Sequence, residues 1–367
     1  MYKTLIGLLA AFVIFFGSYA VRAESGKPVP VIVDTDIGSD VDDAFALAML
    51  HTLMDRRECD LLAVTVTRSN PLAAKLVQMI NAWYGHASIP VGLVENGVAD
   101  DGGYYMDETL RAAEENGFTF QAAPVENAVT LLRRVLAQAE DSSVTIVQVG
   151  FSTNLAQLLD SPADDISPLT GTELAAKKVK VLQAMAGIFG GDYTHKEYNV
   201  VTDVPSAQKL FDRWPTPIQV SGYEIGAAVR LPSESVTDDY NYRPWHPLPI
   251  AFKALSVKLT GKLSDWATFD ITSVMQGVRP DRYFTMSQPG TVTVEEDGTT
   301  RFTPDPAGRH RYFLRPDEAA NARAQEAIMN LCSPPPKGAE RSGPLPPLPG
   351  GNTAEAAGPV IFKMGRY

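Results

Sequence analysis

The chain has 367 residues, of which 45% are hydrophobic and 20% charged, and a formal net charge of −11. That length and balance suit one large α/β domain or two ordinary ones, with a substantial core. Such acidity gives no electrostatic reason to bind a nucleic acid polymer or an anionic lipid, and favours a small neutral substrate or a cation.

Residues 1–23 read as a secretory signal peptide. Lys3 supplies a positive start, Leu5 to Phe16 is almost unbroken apolar sequence, and Val21-Arg22-Ala23 offers a small-x-small cleavage site. The apolar run is short for a membrane span, which takes about 20 residues. An uncleaved anchor is the rival reading. The expected mature chain starts near Glu24, is exported to a periplasmic or secreted location, and keeps no stable membrane association.

Pro28 to Asp34 then predicts a buried strand that ends in acid, and Ala44, Leu47, Ala48 and Leu50 predict a helix from Asp42 to Leu53. Leu61–Thr67 reads as strand, Pro71–Tyr84 as helix and Ile89–Leu93 as strand. Asn127–Ala139 reads as helix, Val144–Val149 as strand and Leu155–Leu159 as helix, with further strands at Val179–Met185 and Ile218–Ser221. This alternation predicts an α/β fold, a mainly parallel central sheet flanked by helices. Gly290 to Phe302 alternates around Asp297-Gly298 and predicts a C-terminal β-hairpin. The α/β domain is expected over residues 24–332. From Ser333 to the end, residues 333–367, runs such as Pro334-Pro335-Pro336 predict an extended or disordered tail. Cys59 and Cys332 are the only cysteines, too few for a disulfide framework, and whether they pair is left open.

In parallel sheets of this kind, ligands bind beyond the carboxyl ends of the strands. Asp34 and Asp36, Asn70 and the Gly150–Asn154 turn all fall there. Asp34, Asp36, Asp40, Asp42 and Asp43 crowd one short loop. Like carboxylates repel and raise one another's pKa, so the loop calls for a cation. Asp42 and Asp43 also complement the start of a helix, which accounts for two acids and not five. With five histidines in the whole chain and no Cys/His cluster, oxygen-only ligation favours calcium or magnesium over zinc. An EF-hand loop fails, since Phe45 stands where its final Glu would be. The strand-terminal Asp34-Thr35-Asp36 is nearer to the nucleophile motif of haloacid dehalogenase phosphotransferases, but the continuation Asp42-Asp43-Ala44 does not fit that family.

The series Asp-x-Asp-x-Gly and then Asp-Asp-Ala, over residues 34–44, resembles the signature of the inosine–uridine-preferring nucleoside hydrolase family. Later segments resemble that family's motifs in order: Val64 to Asn70, Val149-Gly-Phe-Ser-Thr-Asn154, Met185-Ala-Gly, Gly190-Gly-Asp192, Glu197-Tyr198-Asn199 and Thr268-Phe269-Asp270-Ile271. The resemblance spans roughly Val29 to Tyr312. It implies hydrolysis of the N-glycosidic bond of ribonucleosides, releasing ribose and a free base. It implies a calcium ion held by Asp36, Asp43, the backbone carbonyl of Thr153, and Asp270, with ribose hydroxyls and a water completing the shell. A neighbouring carboxylate, Asp42 or Asp40, would be the general base, Asp42 being favoured because it directly precedes Asp43. The substrate-binding residues implied are Asn70, Met185, Asp192, Glu197 and Asn199, with a nucleoside or other pentosyl compound as partner and a homo-oligomer as assembly. Plainer roles stand beside these: Thr153-Asn154 as a helix cap, Met185 as core, Glu197 and Asn199 as loop residues.

Two departures matter. Val41 and an extra Asp interrupt the family's first motif. Phe269 stands where well-studied members place a His that protonates the leaving purine. Leaving-group activation must then come from another acid, or depend on an apolar pocket and an intrinsically better leaving group, and Tyr223, His246 and Trp266 are candidates for that pocket. The alternative readings are a binding protein that kept the site and lost the chemistry, and a hydrolase of another pentosyl compound.

Overall fold

The computed structural model describes residues 27–99 and 103–336. The expected signal peptide and all but the first residues of the expected tail lie outside the described residues. The chain runs β1 (Val29–Thr35), α1 (Asp42–Asp55), β2 (Cys59–Val66), α2 (Pro71–Trp83), β3 (Val91–Leu93), α3 (Met106–Glu115), β4 (Glu126–Asn127), α4 (Ala128–Gln138) and β5 (Val144–Gln148). It continues through α5 (Thr153–Asp160), α6 (Gly171–Lys178), β6 (Val179–Met185), α7 (Tyr198–Thr202), α8 (Val204–Arg213), β7 (Ile218–Ser221), α9 (Tyr223–Ala228), β8 (Arg230–Leu231) and α10 (Ser233–Asp238). The last elements are α11 (Pro247–Thr260), β9 (Trp266–Ala267), α12 (Phe269–Val278), β10 (Gly290–Val294), β11 (Thr300–Pro304), β12 (His310–Tyr312) and α13 (Glu318–Cys332).

Among the described residues, ten strands form one sheet in the order β11-β10-β12-β7-β6-β5-β1-β2-β3-β4. Only β10 runs antiparallel to its neighbours, and β11 completes the expected hairpin at the edge. The apolar run of β1 has no polar face because both faces are covered, as parallel sheets require. Val31 and Val33 join the core under α1, α2 and α12, while Ile32 joins the opposite layer with α4, α5 and α8. Helix α1 is buried along most of its length, packed against α12 and α13. That enclosure explains why its apolar residues circle the helix and leave no polar face.

Chain direction places the site. From β1 the sheet grows outward through β2, β3 and β4, and β5 then returns to pair on the other side of β1, opposite β2. The crevice at such a switch point lies outside the carboxyl ends of the two strands. Here it opens between Asp34–Asp36 and Gly150–Asn154. Gly150 permits the close approach: a Cβ there would lie 2.5 Å from the Asp36 amide nitrogen. No helix among the described residues is long and apolar enough to cross a membrane.

Cys59 and Cys332 are free and buried, their thiols turned to the carbonyls of Leu50 and Phe45, both on α1.

Candidate active site

The chain leaves β1 at Thr35, turns through residues 36–41 and enters α1 at Asp42. The Thr35 hydroxyl bonds Asp43 and accepts the Ile37 amide, so it ties the strand end to the first turn of the helix. Across the crevice, α12 starts at Phe269 and presents Asp270 to the same point. The carboxylates of Asp42, Asp43 and Asp270 offer oxygens all within 4.8 Å of one another. Each is at most 4% exposed. The Asp270 amide donates to Asp42 Oδ2 at 2.8 Å, while Asp42 Oδ1 and Asp43 Oδ2 are buried with no hydrogen-bond partner.

Burial first, and then mutual repulsion, push the pKa of all three well above the usual carboxylate range. Orphaned buried oxygens on converging acids are costly without a positive charge between them. An all-oxygen donor set of this kind fits a hard cation. Asp42, Asp43 and Asp270 are thus brought together as a centre able to hold a metal ion.

Asp36 follows directly on the strand. Its Oδ2 accepts the Ser39 hydroxyl at 2.8 Å and lies 3.6 Å from the Arg68 guanidinium, which is fully buried. Sequence reasoning missed Arg68, although it lies inside the segment that ends at Asn70. Asp34 is buried too. It accepts from Thr65 Oγ1 at 2.6 Å and Asn154 Nδ2 at 2.8 Å, and burial raises its pKa to about 7. Asp40 is half-buried and accepts the Val41 amide and the Trp266 indole N–H; burial raises its pKa to about 6 against those bonds. Thr153, the first residue of α5, bonds Asp203 through its hydroxyl.

Asn70 caps α2, accepting the Leu72 amide at 2.9 Å ahead of Pro71. Glu197 is buried and caps α7, accepting the amides of Gly187, Asn199 and Val200; burial, chiefly, raises its pKa to about 7. Asn199 donates to the Val149 carbonyl at 2.7 Å and to the carbonyl and sulfur of Met185, each at 3.3 Å. Glu197, Asn199 and Met185 therefore knit the ends of β5 and β6 beside the crevice. Asp192 is exposed in the loop between β6 and α7.

Of the three pocket candidates, Trp266 reaches the acidic loop through Asp40, and Tyr223 stacks on Phe269 with ring centres 5.0 Å apart. His246 lies elsewhere, capping α11 in a cluster with Trp83, Tyr240 and Tyr242. Tyr193 and His195, which sequence reasoning did not single out, extend the wall. Both meet the Tyr223 ring edge to face, at 5.0 and 4.4 Å.

A crevice at a sheet switch point, with buried acids and neighbouring aromatic rings, defines a metal-dependent type of small-molecule site. The profile of the inosine-uridine preferring nucleoside hydrolases matches residues 31–327, and the chain belongs to that family of enzymes. Solved structures show the same fold. A plant nucleoside hydrolase is similar at 20% identity with a TM-score of 0.62, covering 83% of this chain and 98% of its own. A purine-preferring ribonucleoside hydrolase from Gardnerella vaginalis matches at 17% identity and TM-score 0.63, covering 83% and 99%. An inosine-uridine preferring nucleoside hydrolase from Bacillus anthracis matches at 17% and 0.62, again covering 83% and 99%. Among curated proteins no sequence matches the chain.

Proposed function

We propose that the enzyme is a calcium-dependent ribohydrolase that cleaves the N-glycosidic bond of ribonucleosides. The observation that carries this reading is the set of three buried carboxylates with two orphaned oxygens, a crowding of negative charge that a bound cation would relieve. Calcium is preferred to zinc because the donors are all oxygens. Asp43 and Asp270 would hold it, with Asp36 and the Thr153 carbonyl completing the protein's share. When bound, the ion neutralises the cluster and polarises oxygen ligands.

The remaining work falls to side chains. Asp42 is steadied by the Asp270 amide and keeps Oδ1 free, so it serves as the base that takes a proton from the attacking water. Asp40 is the rival base, but its carboxylate is already engaged by Trp266 and the Val41 amide. Asn70, Asp192, Glu197 and Asn199 would meet the sugar hydroxyls, and Met185 its face. Loss of the base leaves positive charge on the ribose ring, which the surrounding carboxylates stabilise.

The test is release of reducing sugar from a nucleoside panel, with calcium and then with a chelator. Calcium-dependent release that falls at least 100-fold in Asp43→Asn supports the assignment, in line with the weight of a well-placed electrostatic group. Release unaffected by chelator would overturn the metal reading. Calcium-dependent ribose binding without turnover would favour a binding protein, the reading to which Phe269 lends weight. Export rests on the N-terminal segment alone, and a mature protein that starts near Glu24 when expressed in a secreting host would support it.

A further inference from the structure

The aromatic wall beside the acids raises the question of what contacts the departing base. Phe269 immediately precedes Asp270 and offers the base only a ring face. Tyr223 stacks on it with an interplanar angle of 29°. His195 stands edge-on to Tyr223, ring centres 4.4 Å apart at 77°, and Tyr193 closes the corner at 5.7 Å from His195. Four rings from three separate segments thus adjoin one another next to the carboxylates.

His195 differs from the other histidines of the fold. His51 bonds Asn81, His86 lies 3.6 Å from Asp55 and stacks on His51, His246 caps a helix and bonds Trp83, and His310 accepts the Val292 amide. His195 has no hydrogen-bond partner among the described residues, and its Nε2 is buried. Burial also lowers its pKa, which keeps the ring neutral near pH 7, with one N–H to give and one lone pair to accept. The two residues that follow it fix its place. Lys196 pairs with Asp297 at 2.7 Å, and Glu197 anchors the next turn. An imidazole that is only partly buried and has no hydrogen-bond partner, on a braced loop at the edge of a stacking surface, is available to a ligand.

We propose that His195 is the leaving-group contact of this enzyme. It donates a ring N–H to the nitrogen heteroaromatic base while Tyr223 and Phe269 supply the stacking faces. The donor role is thereby moved from the start of α12, where Phe269 stands, to the loop after β6. The inference rests on the ribohydrolase reading above. In the step itself, the bond from the anomeric carbon to the base nitrogen breaks and leaves its electron pair on the base. The imidazole hydrogen bond stabilises that charge, and the base takes a proton from solvent as it departs. This balances the proton that Asp42 removes from water, whose oxygen forms the new bond to carbon.

The experiment compares inosine and uridine with p-nitrophenyl riboside, whose leaving group spreads its own charge and needs no donor. In His195→Ala, kcat on the nucleosides should fall by about 100-fold, as when one preorganised donor is removed. The nitrophenyl riboside should lose no more than a few-fold. His195→Gln, which keeps an N–H, should recover part of the nucleoside rate, and unchanged unfolding temperatures would show that both variants fold. Equal losses on all substrates, or none on any, would overturn the role of His195. A wild-type enzyme that cleaves neither kind of substrate would instead overturn the ribohydrolase reading itself.

Discussion

Asp34 and Glu197 illustrate what the fold asks of single residues near the crevice. Each is buried and accepts hydrogen bonds, yet its pKa stands at about 7 because burial outweighs those bonds. A carboxyl whose folded pKa exceeds its unfolded value binds more protons when folded. Its stabilising effect is full below about pH 4 and is lost as pH rises through about 7. Asp42, Asp43 and Asp270 shift in the same direction. Chelated protein should therefore melt at progressively lower temperature from about pH 5 to pH 8. Calcium should flatten that slope, since the acids holding it ionise at no cost; scanning calorimetry with and without chelator measures both. The acids themselves were legible because carboxylates clustered at a strand end have few structural uses. Arg68 was not, because a guanidinium reads as surface until the fold encloses it, and enclosed arginines are rare.

At the scale of elements, the edge hairpin braces the site loop. Thr300 Oγ1 accepts the Ile188 amide at 3.0 Å, Lys196 pairs with Asp297, and the Gly187 backbone turns at φ +71 against Thr300. A Cβ on Gly187 would lie 2.7 Å from Thr300 Oγ1. Gly187→Ala should cost about 1–3 kcal/mol in stability, the usual range for a strained backbone position. It should also reduce kcat/KM, and Thr300→Ala in the same chain should restore part of both by removing the clash. Denaturant titration paired with steady-state kinetics reads the outcome.

The hairpin was visible in the sequence through Asp297-Gly298, and β6 and β7 through their apolar runs. Its role as a brace was not, since it depends on the three-residue β12 joining it to β7. The short helices α7, α9 and α10 gave too little periodicity to read. Helix α12 hides in another way, being buried nearly all round and so without a polar face.

For the molecule as a whole, α1 is the pivot, carrying the acids at its start and accepting both thiols along its length. Burial pushes the Cys59 thiol up to about 12 and raises Cys332 as well. Two such thiols are unreactive while the fold holds. Maleimide should label neither in native protein and both after denaturation, and oxidising conditions should not join them. Mass spectrometry of the labelled protein decides. The sheet order around β1 was implied by the α/β alternation, but the long return from β4 to β5 that creates the crevice was not. No local signal says on which side of β1 the next strand will pair.

That return has a kinetic consequence. The hydrogen bond from Asp270 to Asp42 spans 228 positions, so the cluster exists only once segments from far apart in the chain have met. An ion bound there would find no such site in the folding transition state, where distant segments have yet to meet. Calcium should therefore leave the refolding rate almost untouched and slow unfolding instead, lengthening the lifetime of the native protein without hastening its birth.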